Sequence, residues 1–146
     1  MHNRVKLEFN SLPENLALAR LVVASVASQT NFTLDDVEEL KVAVSEAVSN
    51  SIIHGYGNCP DGLITLEVWQ DNAKLVIVVS DQGKGIADIA LAMQPAFSTE
   101  PDRMGLGFVF MQSFMDDLHV ESEPAKGTAV KLVKLLADTN AVALNN

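Results

Sequence analysis

The sequence predicts an α+β protein, a two-layer sandwich with helices on one face of a mixed, mostly antiparallel sheet. Three observations carry that expectation. Two long segments step their apolar residues by three and four, as helices do, and shorter segments alternate or run wholly apolar, as strands do. The elements fall in the order β-α-α-β-β-α-loop-α-β-β, which groups strands and helices into two layers. A chain of 146 residues that is 48% hydrophobic and 20% charged fits one domain, residues 1–146, around one core.

Arg4 to Phe9 alternate, with Val5, Leu7 and Phe9 on one face, so a half-buried strand opens the chain. Ser11 and Glu14 have the spacing of a capping box, with Pro13 in the first turn, and predict a helix to about Ser28. Thr33 and Asp36 repeat the capping signal before a long helix to His54, with Leu34, Val37, Leu40, Val44 and Val48 on one face and Gly55 as its stop. Leu63–Trp69 and Lys74–Ser80 read as strands joined by a polar turn. Leu75 to Val79 is apolar throughout, which predicts a central strand covered on both faces. A short helix is expected near Ile86–Met93, a loop over Gln94–Arg103, and a helix from Gly105 to about Met115. Leu118–Glu121 and Thr128–Leu136 finish as a hairpin, and the tail from about Ala137 is expected to fray.

The net charge of −9 opposes a nucleic-acid surface, which needs clustered Lys and Arg, and makes a basic protein the more natural large partner. The single cysteine, Cys59, forms no internal disulfide and asks for no oxidising compartment. The N-terminus is unlike a signal peptide, and no apolar stretch approaches the roughly 18 residues of a membrane span. The expectation is a cytoplasmic protein with no nucleic-acid or membrane partner.

Glu46, Asn50 and His54 recur at steps of four and so share one stripe of the long helix, beside the small Ala43 and Ala47. A carboxylate next to an amide oxygen suits Mg²⁺, which wants hard oxygen ligands and takes only one or two from protein; an ordinary polar helix edge has the same spacing. Asp81, Gly83 and Gly85 follow the most apolar strand. An Asp there can accept from an exocyclic amine while the glycines let a flat base approach the backbone, although a plain turn also favours these residues. Gly105 and Gly107 at a helix start expose amides to a phosphate, or simply break a loop. No Walker-type Gly-Lys-Ser/Thr loop and no Rossmann glycine pattern occurs. The three histidines show no metal-ligand spacing with Cys59. Arg20, a charge in an apolar run, is either a stem covering the helix edge or a partner-contact residue.

Taken in order, Glu46-x-x-x-Asn50-x-x-x-His54, Asp81-x-Gly83-x-Gly85, Gly105-x-Gly107 and Gly127-Thr128 resemble the N, G1, G2 and G3 boxes of the GHKL ATPases, the superfamily of gyrase, Hsp90, histidine kinases and MutL. Over nearly the whole chain, segments such as Val44–Tyr56, Gln94–Thr99 and Phe108–Asp117 are similar to the anti-sigma factor serine kinases of Gram-positive spore formers, in the anti-sigma-F branch rather than the stress-response branch. The resemblance implies the Bergerat fold, with ATP or ADP held between helices under a flexible lid. It implies a homodimer that binds a sigma factor of the sigma-F type and phosphorylates a serine on a STAS-type anti-anti-sigma factor. In that pattern Glu46 is the general base, Asn50 holds Mg²⁺, and Asp81 reads the adenine amine. Gly83 and Gly85 line the base pocket, with His54 beside them. Thr99, Arg103, Gly105 and Gly107 meet the phosphates, Thr128 flanks the adenine, and Arg20 meets the partner.

The lid segment Glu100–Met104 is about two residues shorter than the family pattern, and Met104 stands where a small serine usually precedes Gly-x-Gly. That departure keeps in play a nucleotide-gated sigma-binding module without kinase activity. A stress-response-type anti-sigma kinase is the nearer alternative. The ATP-binding domain of a sensor histidine kinase is a further one, disfavoured because no helix carries a phospho-accepting His.

Overall fold

The computed structural model describes residues 3–94 and 104–137, Met104 by its backbone alone. The elements are β1 (Arg4–Asn10), α1 (Asn15–Ala27), α2 (Leu34–Asn50), a π-helical turn (Ser51–Gly55), β2 (Leu63–Asp71), β3 (Lys74–Asp81), α3 (Ile89–Ala92), α4 (Met104–Phe114), β4 (Asp117–Glu123) and β5 (Gly127–Leu135). The strands form one five-stranded sheet in the order β1-β2-β3-β5-β4, and every described pairing is antiparallel. This is the expected α+β sandwich.

Register builds the core. Leu66 lies opposite Leu7 and Val79, and Val79 opposite Val130; Val68 faces Ile77, which faces Leu132. These rows stand on the helix side of the sheet, where they join Ala19, Val23 and Val26 of α1, Leu40, Val44 and Val48 of α2, and Phe108 and Met111 of α4. Full burial of each large aliphatic contributes roughly 1.5–3 kcal/mol, so this layer interface carries the fold. The small Ala43 and Ala47 beside the polar stripe also belong to this core.

β3 meets the core on one face only, contrary to the expectation of cover on both. Val76 is buried but lies outside the core cluster. Its cross-strand neighbours Trp69 and Val133 shield it, and the Arg4 guanidinium sits over the Trp69 ring at 4.6 Å. Broad neighbours within the sheet thus do what a second helical layer would have done.

The capping signals divide. Thr33 and Asp36 form a complete capping box, each backbone N–H donating at 3.1 Å to the other's side chain. Ser11 caps nothing. It is buried, donates to the Cys59 carbonyl at 2.5 Å and accepts from Gly62 N at 3.0 Å, which pins the exit of β1 to the loop before β2. Glu14 is the N-cap of α1 and makes no side-chain cap bond. The helix expected to reach His54 is α-helical only to Asn50 and continues as one π turn, closed by Tyr56 N donating to Ser51 O at 2.9 Å. Gly55 is the last residue of that turn, and the left-handed residues that reverse the chain are Gly57 and Asn58.

Candidate functional site

α2 delivers the polar stripe to the start of α4. Glu46 and Asn50, both half-buried, lie where α2 meets the first turn of α4. The approach is close because Gly107 has no side chain: a Cβ there would stand 2.9 Å from Glu46 Oε2 and 3.5 Å from Asn50 Oδ1 and Nδ2. Among the described residues, Asn50 Nδ2 is the only buried side-chain polar atom without a hydrogen-bond partner. An unpaired buried N–H costs on the order of 1–3 kcal/mol, so this one marks a place for an acceptor that no described residue supplies.

Beyond Asn50 the chain winds more loosely. A π turn takes more residues per revolution than an α turn. The usual α-helical drift is therefore not continued through this turn, and His54 lines the same pocket as Asn50. The walls of this pocket include Gly85, Ile86, Phe108 and Thr128.

Asp81 stands behind Gly55 and Ser51 of the pocket wall. It terminates β3, is only 8% exposed, and divides its carboxylate between two donors. Ser51 Oγ donates to Oδ2 at 2.7 Å, and Gly83 N donates to Oδ1 at 2.9 Å. A buried carboxylate needs such donors, and its acceptor sites are not exhausted by two of them, so a further N–H can be received. Gly55 lets the carboxylate approach the π turn, since a Cβ there would stand 3.1 Å from the Asp81 oxygens.

Glycines also knit the loops behind the pocket. Gly85 (φ +75°) and Gly127 (φ +106°) occupy left-handed conformations that other residues rarely adopt, and a Cβ on either would strike the backbone of Glu123 or Asp81. Lys84 N donates to Gly55 O at 2.9 Å, and Ala125 N to Lys84 O at 2.7 Å. Thr128 Oγ1 lies 2.8 Å from Ser122 Oγ, which accepts from Ile86 N at 2.7 Å.

The structure thus gathers Asn50, His54, Gly85 and Thr128 into the pocket wall, with Glu46 and Gly107 adjoining Asn50, and Asp81 and Gly83 behind Gly55. Gly105 packs its first turn of α4 against the Gln94 carbonyl. Arg20 is separate: its Nη1 donates to Ser45 Oγ at 3.1 Å across the α1–α2 seam. Thr99 and Arg103 lie outside the described residues, as do the lid before Met104 and the tail from residue 138. Sequence reasoning passed over Ser51, Tyr56, Phe108 and Ser122. Ser51 left one readable trace, a hydroxyl directly after Asn50 of the polar stripe; the others act through partners remote in sequence.

Among the described residues no group of three or more His, Cys, Asp or Glu is placed to hold a metal ion, and no helix is long and apolar enough to cross a membrane. An Mg²⁺ held by one amide oxygen and otherwise by ligand and water needs no such group. Asn50 fits that role, with its Oδ1 for the cation and its orphaned Nδ2 for an anionic oxygen beside it.

Residues 9–134 match the family of histidine kinase-like ATPase domains. An anti-sigma F factor of Clostridium botulinum is 48% identical over 134 residues, spanning 90% of this chain and 94% of its own. One from Geobacillus kaustophilus is 44% identical over 144 residues, spanning 97% and 99%. Among solved structures, the RsbU and RsbW domains of Rv1364c from Mycobacterium tuberculosis align with a TM-score of 0.66 at 16% identity, over 92% of this chain and 32% of that one. The catalytic domain of the histidine kinase ThkA aligns with a TM-score of 0.56 at 17% identity, over 90% and 95%. These two likenesses bear on the fold alone. By sequence, the chain belongs to the histidine kinase-like ATPase domain family and, within it, to the anti-sigma F factors.

Proposed function

We propose that this protein is a cytoplasmic, homodimeric anti-sigma factor that silences a sigma factor of the sigma-F type. In this reading it is also a protein serine kinase that inactivates a STAS-type anti-anti-sigma factor with ATP. The observation that carries the kinase half is the pairing at Gly107: the Glu46 carboxylate stands beside a buried Asn50 amide whose Nδ2 has no partner. A base next to an orphaned donor, at the first turn of a helix, is a constellation for a phosphate ester.

Each residue then has a task. Asp81 accepts from the adenine amine while Ser51 and Gly83 hold its carboxylate. Gly85 and Thr128 border the base, and the amides at Gly105 and Gly107 in the first turn of α4 meet the phosphates. Mg²⁺, held through Asn50, supplies charge neutralisation on the phosphate oxygens when bound. The partner's serine oxygen bonds to the γ-phosphorus as the bond to the ADP oxygen breaks, and Glu46 takes the serine proton. Arg20 is held by Ser45 at the helix seam and offers a guanidinium with further N–H donors to the sigma factor. The acidic surface, at net −9, suits a basic partner.

Glu46→Ala tests the assignment. Transfer to the partner serine should fall by about 10²–10⁴ while ATP binding is kept. Equal transfer by the variant would remove Glu46 from the base role. A nucleotide-gated binder without kinase activity would show no transfer even in the wild type.

A further inference from the structure

Three consecutive amides after β3 are each held by a different acceptor: Gln82 N donates to Tyr56 Oη at 2.7 Å, Gly83 N to Asp81 Oδ1 at 2.9 Å, and Lys84 N to Gly55 O at 2.9 Å. Two of the three acceptors come from the π turn and the residue after it. The Tyr56 hydroxyl has a fixed polarity, because its single proton goes to the Leu63 carbonyl at 2.5 Å and only lone pairs remain for Gln82. Its ring is fixed as well. It lies against Gly62, where any Cβ would fall on the ring carbons, so Gly62 is the seat that lets the phenol reach the loop.

Gln82 N belongs to the peptide plane that follows Asp81. Holding that plane restricts the backbone on the C-terminal side of Asp81, while pairing with Ile64 holds the strand side. The Asp81 carboxylate cannot swing without breaking its bond to Gly83 N, two residues on in the same pinned loop. The hydroxyl of Tyr56 hydrogen-bonds to Leu63 and Gln82, neither of them in the pocket wall, yet it fixes the frame from which the carboxylate is aimed.

We propose that Tyr56 is a positioning residue for base selection, its phenol pinning the Asp81–Gln82 peptide so that the Asp81 carboxylate is aimed at a purine amino group. This rests on the adenine-nucleotide reading given above. Tyr56→Phe removes only the hydroxyl and keeps the ring on Gly62, so the fold is retained.

The test compares Kd values of wild type and Tyr56→Phe for ATP and for the purine ribonucleoside triphosphate that lacks the exocyclic amine. The wild type should prefer ATP. In the variant, ATP affinity should fall about five- to tenfold and affinity for the amine-free analogue less than about twofold, narrowing the preference. Amide hydrogen exchange of the nucleotide-free variant should be faster at Gln82. An equal loss for both nucleotides, an unchanged preference, or unchanged exchange at Gln82 would overturn the proposal. A wild type without preference would instead overturn the adenine reading beneath it, and the proposal with it.

Discussion

Glu46 Oε2 lies 2.9 Å from the point where a Cβ on Gly107 would stand. The two helices of the site can therefore meet with the carboxylate between them only because residue 107 is glycine. The atom that a side chain would displace is the far end of a flexible glutamate, not backbone, so a methyl group there moves the carboxylate before it disturbs the fold.

Gly107→Ala should accordingly separate activity from stability. Phosphoryl transfer is expected to drop about ten- to a hundredfold, since a displacement near 1 Å at a reacting group has effects of that order. The melting temperature should change by only a few degrees, as expected for a change of about 1 kcal/mol or less. Calorimetry and a transfer assay on the same preparation check both parts.

Ser51→Ala removes the donor to Asp81 Oδ2 in a buried setting. The carboxylate loses one of two bonds, at a cost of about 1–3 kcal/mol in stability. ATP affinity should weaken about five- to tenfold as the carboxylate gains freedom. Denaturant unfolding and equilibrium ATP binding measure the two effects; unchanged values of both would show that the Ser51–Asp81 bond does not organise the pocket.

Lys134 is a buried cation that staples the ends of two helices. Its Nζ lies 2.8 Å from Glu39 Oε2 and 3.9 Å from Asp36 Oδ1 near the start of α2, and donates to Phe114 O at 2.7 Å at the end of α4. Lys134→Met keeps the stem and deletes the charge. The two carboxylates are partly exposed and regain water, so the expected loss is about 1–3 kcal/mol, below that of a fully buried pair. The urea midpoint should fall with no change in slope.

How legible these features were in the sequence depends on whether their partners are local. The Thr33–Asp36 box is complete within four residues, and it formed as read. Ser11 and Glu14 show the same spacing, but Ser11 is claimed by Cys59 and Gly62, far along the chain, and tertiary bonding overrode the local signal. The stripe Glu46–Asn50–His54 was readable from helical period; the π turn that carries His54 has no sequence signature. Lys134 sits in phase with Val130 and Leu132, so alternation already placed it inward, while its carboxylate partners on α2 were beyond the reach of any periodicity. Tyr56 was visible only as the residue after Gly55, because its work lies in contacts with Leu63 and Gln82 that exist only once β2 and β3 have paired.

Phosphoryl transfer is read out without intermediaries by following label from γ-labelled ATP, with Mg²⁺, onto a purified anti-anti-sigma protein. Stable label on a serine of that partner, dependent on Glu46, is the expected result. Clear ATP binding with no label on the partner would rule out the kinase role.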